Sequence, residues 1–172
     1  MDAGTIQTFD PHADSDSFRG ALGAFVTGVT IITTNGPDGP VGIVANSFAS
    51  VSLDPPLVLW SPAKSSRRFE YFARADRFAI HVMAADQRDI CAAIIASKTA
   101  IRDVPTHQSH CGMPLINGAL ATFECNLETT HDAGDHVIVV GRVTKAHHTA
   151  GDPLVFHGGI YGRFHQDHSS SE

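Results

Sequence analysis

Cysteine is scarce in this sequence, and the arrangement of the few cysteines excludes two classes of small protein. The 172 residues include three cysteines, Cys91, Cys111 and Cys125. Their number is odd and no two of them form a C-x-x-C pair, so neither a disulfide framework nor a cysteine-rich zinc site is predicted. Reduced thiols are the simplest interpretation, and they indicate a cytoplasmic protein.

Positive charge is also in short supply. The formal net charge is -6, whereas a nucleic-acid-binding protein usually carries a basic patch that neutralises phosphates. We therefore expect no nucleic-acid partner. Charged residues of both signs make up only 17% of the chain, which is low for a monomer and favours a homo-oligomer that buries part of the surface.

Long apolar runs and the common nucleotide-binding motifs are missing as well. No stretch reaches the roughly 18 apolar residues of a membrane span, and residues 1–16 lack the apolar segment of a signal peptide, so no membrane association is expected. Neither G-x-G-x-x-G nor G-x-x-x-x-G-K-[ST] occurs, so a nicotinamide nucleotide would bind outside a Rossmann-type site. The polar ends predict flexible tails over residues 1–16 and 166–172, around one folded domain over residues 17–165.

Histidine, by contrast, is frequent, with 11 residues. The densest groups are His107, His110 and Cys111, and the pair His147 and His148. None of them stands in an H-E-x-x-H arrangement or has a carboxylate at ligand spacing, so we expect no native metal site.

Strand patterns dominate the rest of the sequence. Helices are predicted from a cap at Asp14, Ser15 or Ser17 to about residue 24, over residues 65–73 and over residues 86–97, while residues 99–111 read as irregular. The order of elements favours a closed or partly open antiparallel barrel, mainly β with peripheral helices, over a βαβ sheet. β-Branched runs predict strands at residues 26–34, 41–45, 51–53, 57–60, 78–83, 121–130 and 136–145, with hairpin turns at residues 35–40 and 132–135.

Two segments between strands are rich in small polar residues. Residues 45–52 (ANSFASVS) offer the short donors that a flat heteroaromatic ring requires, but they also fit a bulged strand whose hydroxyls bond their own backbone. Residues 61–68 (SPAKSSRR) precede a predicted helix, whose N-terminus would form a phosphate cradle with Lys64, Ser65 and Ser66. A capped helix start with solvated basic side chains is the alternative.

Two later segments carry candidate residues with equally open interpretations. His136, after Gly134 and Asp135 at the head of a strand, is suited either to contact a nicotinamide or to pair structurally with Asp135. Residues 153–162 place glycines beside aromatic groups, which lets a backbone approach a planar ligand closely. They equally describe an ordinary C-terminal strand.

Taken together and in this order, the segments resemble the short-chain flavin reductase family, the small components of two-component flavin-dependent monooxygenases. The resemblance extends from about residue 18 to residue 164. It rests on GVT at residues 28–30, ANSF at 45–48, SVSLDPPLV at 50–58, S-x-x-KSS at 61–66, GDH at 134–136, GRV at 141–143, PLVF at 153–156 and YG at 161–162.

The resemblance implies an FMN-binding split β-barrel, usually a homodimer with flavin sites near the subunit interface. It places His136 and Tyr161 at the nicotinamide side. It implies that cofactor-binding residues follow the flavin from ring to tail: Thr30, Ala45, Asn46 and Ser47 along the isoalloxazine, Ser50, Ser52 and Ser61 along the tail, and Lys64 and Ser65, with Ser66 beside them, at the phosphate.

The activity implied by the resemblance is that of an NAD(P)H-dependent flavin reductase. Hydride passes from the nicotinamide C4 of NADH or NADPH to N5 of FMN or FAD, and the reduced flavin leaves for a separate monooxygenase. Because the chemistry belongs to the cofactor, the protein needs no strong acid or base. The alternatives are a flavoprotein that retains its flavin and acts on another substrate, and a flavin- or haem-binding module without turnover.

Overall fold

The structure is a computed structural model that describes residues 6–165. The predicted tail over residues 166–172 lies outside the described residues, as does the start of the predicted tail over residues 1–16.

Strands are the commonest secondary structure of the described chain, as the sequence predicts. Helices α1 (Ser15–Gly23), α2 (Phe69–Ala73) and α3 (Arg88–Ala96) stand between them, with 3-10 turns at Ala85–Gln87 and Ala100–Asp103. The strands are β1 (Thr27–Gly28), β2 (Thr30–Gly36), β3 (Gly39–Ala45), β4 (Ala49–Leu53), β5 (Pro56–Trp60), β6 (Arg77–Val82), β7 (Thr106–Gln108), β8 (Pro114–Ile116), β9 (Ala121–Ala133), β10 (His136–His148), β11 (Leu154–His157) and β12 (Ile160–Arg163).

Seven of these strands form one antiparallel sheet in the order β3-β2-β6-β9-β10-β5-β4. The sheet curls round so that side chains from both of its ends pack in one buried cluster. Ile32 and Val41, from β2 and β3, pack in this cluster with Val58 and Trp60 from β5. A sheet whose two ends meet in one core is a partly open barrel, and this confirms the predicted architecture. β11 pairs with both β1 and β12 in a smaller sheet.

Local chemistry explains the hairpins and the first helix. Asp14 caps α1 by accepting a hydrogen bond from the Ser17 backbone N–H at 3.0 Å, and this bond lowers the pKa of the Asp14 carboxyl. β2 and β3 meet at the turn between Gly36 and Gly39, as predicted. β9 and β10 meet at Gly134 and Asp135, where the φ of 67° at Gly134 favours glycine.

Two predicted elements are wrong in their bounds. The strand predicted over residues 26–34 is divided, because β1 pairs with β11 while β2 pairs with β3 and β6. The helix predicted over residues 65–73 begins only at Phe69. The Ser66 hydroxyl instead accepts a hydrogen bond from the Arg68 backbone N–H at 3.2 Å, forming a local turn that competes with the helix.

Two segments are more regular than predicted. Residues 99–111 contain the 3-10 turn Ala100–Asp103 and strand β7. Residues 153–162 form most of the β11–β12 hairpin. None of the helices within residues 6–165 combines the length and the apolar character that spanning a membrane requires.

Candidate functional site

A cleft of about 350 Å³ lies where the ends of β3 and β5 approach each other. We call it the seam cleft. α3 contributes Ile95 to its wall, and the head of β10 contributes His136. The lining comprises Ile43, Val44, Ala45, Asn46, Ser47, Trp60, Ser61, Pro62, Ala63, Ser66, Arg68, Ile95 and His136. Six residues predicted for the site therefore meet here: Ala45, Asn46, Ser47, Ser61, Ser66 and His136.

A pair of serines joins the two sides of the seam cleft. Ser47 follows β3 and Ser61 follows β5. The Ser61 backbone N–H donates to the Ser47 Oγ at 2.9 Å, and the Ser47 hydroxyl donates to the Ser61 carbonyl at 3.3 Å. One side chain thus satisfies both backbone groups of Ser61, which fixes the spacing of the two strand ends.

We expect Ser47→Ala to lower the free energy of unfolding by about 1 kcal/mol, because the half-buried Ser61 backbone loses its partner. Urea denaturation of the variant beside wild type measures this. Ser50→Ala is the matched control, since Ser50 is exposed on β4, and it should stay within about 0.5 kcal/mol of wild type. Equal effects of the two substitutions would contradict the bridging role of Ser47.

Thr30 fixes the backbone of Ala45, a residue of the seam cleft lining. It is 2% exposed, and its hydroxyl donates to the Ala45 carbonyl at 2.7 Å. Thr30 and Ala45 are also direct partners in the β2–β3 register. Thr30 therefore holds the backbone at Ala45, and its prediction as a residue against the isoalloxazine itself stays a prediction.

The turn before β10 is tied to the segment that follows β5. The Lys64 backbone N–H donates to the Asp135 carbonyl at 2.9 Å. The Lys64 ammonium donates to the Gly134 carbonyl at 2.6 Å and forms an ion pair with Asp132. His136 Nδ1 lies 2.7 Å from an Asp135 carboxylate oxygen, and this hydrogen bond lowers the pKa of Asp135. The structural pairing of His136 with Asp135 is thus present, and His136 is also part of the seam cleft lining.

A second, smaller cavity of about 120 Å³ adjoins the seam cleft, and we call it the side cavity. Its lining includes Val44, Ala45 and Asn46, which the two cavities share. Phe156 and Tyr161 form its aromatic wall, with ring centroids 5.3 Å apart. The Arg88 guanidinium carbon lies 5.6 Å from the Tyr161 ring centroid, within cation–π distance. Burial raises the pKa of the Tyr161 hydroxyl.

Besides Thr30, four residues predicted for the flavin lie outside the lining of both cavities: Ser50, Ser52, Lys64 and Ser65. Ser50 and Ser52 belong to β4, the strand at one end of the sheet. Lys64 is engaged at the β9–β10 turn instead. The roles of these four residues in binding the flavin tail remain predictions.

Sequence reasoning gave no site role to Trp60 or Arg88, and it left Arg68, within residues 61–68, open between a phosphate-binding segment and a solvated helix start. Trp60 ends β5 and is fully buried at the seam cleft. Arg68 is 8% exposed and also lines it. A buried arginine is rare enough to mark a site, but its burial is not visible in the sequence, where it follows an exposed arginine, Arg67.

The residues present fit a flavin. The volume of the seam cleft falls within the range of about 300–1,000 Å³ of small-molecule sites. Ile43, Val44 and Ile95 offer apolar surface for a planar ring, while Ser47 and Ser61 stand at the polar edge. The ionisable side chains in the lining are Arg68 and His136, so the site is built for binding and orientation rather than for strong acid–base chemistry.

Comparison with known proteins places this geometry in a family. The family model for the flavin reductase like domain matches residues 22–165. Among curated proteins, the chain is 56% identical over 151 residues to FMN reductase (NADH) SmoA of Agrobacterium fabrum, covering 88% of this chain and 87% of that protein. It is 40% identical over 150 residues to the reductase subunit HsaB of a flavin-dependent monooxygenase of Rhodococcus jostii, covering 86% of this chain and 77% of that protein.

Solved structures give the same result at the level of the fold. The NADH:FAD oxidoreductase SgcE6 of Streptomyces globisporus, solved with NAD and FAD fragments, superimposes with a TM-score of 0.88 at 35% sequence identity. The match covers 95% of this chain and 100% of that chain.

Proposed function

Because this chain belongs to the flavin reductase family, we propose that it reduces FMN at the expense of NADH in the seam cleft and the side cavity. The protein is an NAD(P)H:flavin oxidoreductase with the split-barrel fold, and it supplies reduced flavin to a separate monooxygenase component. The choice of FMN and NADH is supported by the 56% identity to a relative whose name specifies both.

The observation that carries the proposal is the junction of the two cavities. The seam cleft and the side cavity share Val44, Ala45 and Asn46, so rings bound in the two cavities would be neighbours across this segment. Hydride transfer requires such proximity and alignment of two rings. When bound, the flavin supplies the chemistry by accepting hydride at N5 from the nicotinamide C4.

The chain's own residues bind and orient the two rings. Ile43 offers an apolar wall that the buried cluster around Trp60 supports, and the Ser47–Ser61 pair holds the seam cleft open at a set width. Phe156 and Tyr161 wall the side cavity and keep water from its apolar surface. His136 is placed by Asp135 with Nδ1 engaged, which leaves Nε2 available to a ligand in the seam cleft.

The test is oxidation of NADH and NADPH followed at 340 nm, with FMN, FAD, riboflavin or no flavin added. We expect turnover that depends on added flavin, with NADH and FMN as the preferred pair. Turnover without added flavin, followed by reduction of another substrate, would favour a flavoprotein that retains its cofactor. Flavin or haem binding with no NAD(P)H oxidation would instead indicate a binding module and overturn the proposal.

We expect His136→Ala to lower kcat/KM for NADH by about tenfold, the loss that follows removal of one hydrogen-bonding side chain from the site. His136 lines the seam cleft and not the side cavity, so its place at the nicotinamide side rests on the family resemblance. On that prediction the FMN Kd should change less than about twofold. His148→Ala is the matched control, since His148 is exposed at the opposite end of the same strand. Steady-state kinetics and an FMN titration separate the two effects, and an equal loss in FMN affinity would remove His136 from the nicotinamide side.

We further propose that the protein is a homodimer and acts in the cytoplasm. α1 has no buried residue, and Phe18, Leu22 and Phe25 are exposed on and just after it, with Ile160 and Phe164 exposed elsewhere. Large exposed apolar side chains of this number favour burial against a second copy. The three cysteines are free thiols, which suits a reducing compartment. Light scattering after gel filtration measures the mass, and a mass near 18.3 kDa would contradict the dimer.

A further inference from the structure

Arg68 is a buried cation whose charge is not neutralised by an acidic side chain. It is 8% exposed, and among residues 6–165 no carboxylate lies within ion-pair distance of its guanidinium. Burying an unpaired charge is costly, because the ion loses its hydration and gains no opposite charge in exchange. Such a residue therefore needs a partner that offsets this cost.

Backbone carbonyls provide part of that compensation. One guanidinium nitrogen of Arg68, Nη2, donates to the carbonyl of Ile94 in α3 and, at 2.9 Å, to the carbonyl of Ser97, which caps the same helix. The C-terminus of a helix carries partial negative charge. These bonds use the two N–H groups of Nη2, so three of the five donors, on Nη1 and Nε, remain. Within the described chain Nε is buried without a hydrogen-bond partner.

The surroundings add positive charge rather than remove it. Burial lowers the pKa of the Arg68 guanidinium, and the charge of the preceding Arg67 lowers it further. On the other side of Arg68 lies a cavity of about 190 Å³, to which Lys98 and Arg102 also contribute. Asp38 is the acidic residue in that lining, and its backbone carbonyl, not its carboxylate, accepts a hydrogen bond from Arg102 at 2.7 Å. Arg68 thus stands in a region that attracts an anion.

An anion bound in the seam cleft would lie beside Arg68. Arg68 lines the seam cleft together with Ser66 and Ser61, whereas Lys64, the predicted phosphate ligand, pairs with Asp132 outside the lining. Resting on the function proposed above, we infer that Arg68 binds the terminal phosphate of the flavin and makes the site selective for phosphorylated flavins over riboflavin. Arginine is suited to this role because its fork of N–H donors matches phosphate oxygens.

The test compares the Kd values of FMN and riboflavin, which share the ring and differ in the phosphate. We expect Arg68→Met to raise the FMN Kd by about 10- to 100-fold, the loss of charge-assisted phosphate contacts, and the riboflavin Kd by less than about twofold. Arg67→Met is the matched control, since it removes the same charge from the exposed neighbour, and it should leave the ratio of the two Kd values unchanged. Lys64→Met tests the rival ligand in the same way.

Each outcome decides the inference. A parallel rise of both Kd values in Arg68→Met would mean that Arg68 has a structural role alone, and it would overturn the inference. The inference would also be overturned if Lys64→Met lost the preference for FMN while Arg68→Met kept it. If circular dichroism shows that Arg68→Met does not fold, Arg68→Gln retains an amide donor for the α3 carbonyls, and an unchanged Kd ratio in that variant overturns the inference equally. Wild-type protein that binds neither flavin would refute the proposed function itself, whereas wild-type turnover with an unchanged ratio in the variants refutes only the role of Arg68.

Discussion

Trp60→Ala is expected to lower the free energy of unfolding by about 3–5 kcal/mol, the cost of truncating a large buried aromatic residue. The Trp60 side chain is fully buried. It packs edge-to-face against Phe72 at a centroid distance of 5.2 Å and against Phe78 at 6.1 Å. These contacts join β5 to α2 and β6, so the cavity left by alanine would loosen one wall of the seam cleft.

The measurement is urea denaturation followed by circular dichroism, with the free energy extrapolated to water at a matched slope. FMN binding should weaken in the same variant, because Trp60 lines the seam cleft. Trp60→Phe is the control. Its smaller ring retains most contacts and removes an indole N–H that has no partner within the described residues, so it should cost less than about 1.5 kcal/mol. If alanine and phenylalanine proved equally costly, the packing argument would fail.

Acidification should destabilise the protein through His81, by about 3 kcal/mol between pH 6.5 and pH 4. His81 is 0% exposed, and its Nδ1 lies 2.9 Å from the Ile31 carbonyl. Burial lowers the pKa of His81 to about 4. The hydrogen bond to Ile31 and the charge of Glu124 favour the protonated ring, and His107 opposes it. In the described part of the chain Nε2 has no partner, so protonation would bury an unpaired N–H.

The sign follows from proton binding. The folded state keeps His81 neutral down to about pH 4, while the unfolded chain takes up a proton near pH 6.5. The contribution of His81 is therefore complete above pH 6.5 and is lost as the pH falls towards the folded-state pKa.

Unfolding free energies measured between pH 4 and pH 7.5 test this expectation. His81→Asn retains a donor for the Ile31 carbonyl without a titrating ring, so its stability should depend less steeply on pH than that of wild type. His12→Asn, at an exposed position, should reproduce the wild-type slope. A slope unaffected by His81→Asn would mean that other groups govern the acid sensitivity.

The elements that could be predicted from sequence are those whose chemistry is local. The hairpin between β2 and β3 follows from β-branched runs on either side of a glycine- and proline-rich turn, and the β9–β10 hairpin from the turn at Gly134. The cap of α1 at Asp14 is likewise a contact between near neighbours. In each case the residues that make the interaction lie within a few positions of one another.

The order of the short motifs along the chain also predicted the family, because the segments that follow β3 and β5 carry residues that resemble those of flavin reductases. Ala45, Asn46, Ser47 and Ser61 line the seam cleft as expected. Their position depends on the ends of two strands that are both part of one curled sheet. The family resemblance supplied this placement in advance; the composition of residues 45–52 alone favoured a bulged strand or loop.

The sequence by itself determined the β-rich fold class, the hairpins and the segments that carry the site, because strand propensity and turn chemistry act over short distances. Only the tertiary structure decided which side chains face the seam cleft. It turned Lys64 towards Asp132, left Ser50 exposed on β4, and buried Arg68 beneath the C-terminus of α3. The physical reason is that burial and charge compensation depend on elements far apart in the chain, such as α3 and the segment before α2, whose contact no local pattern encodes.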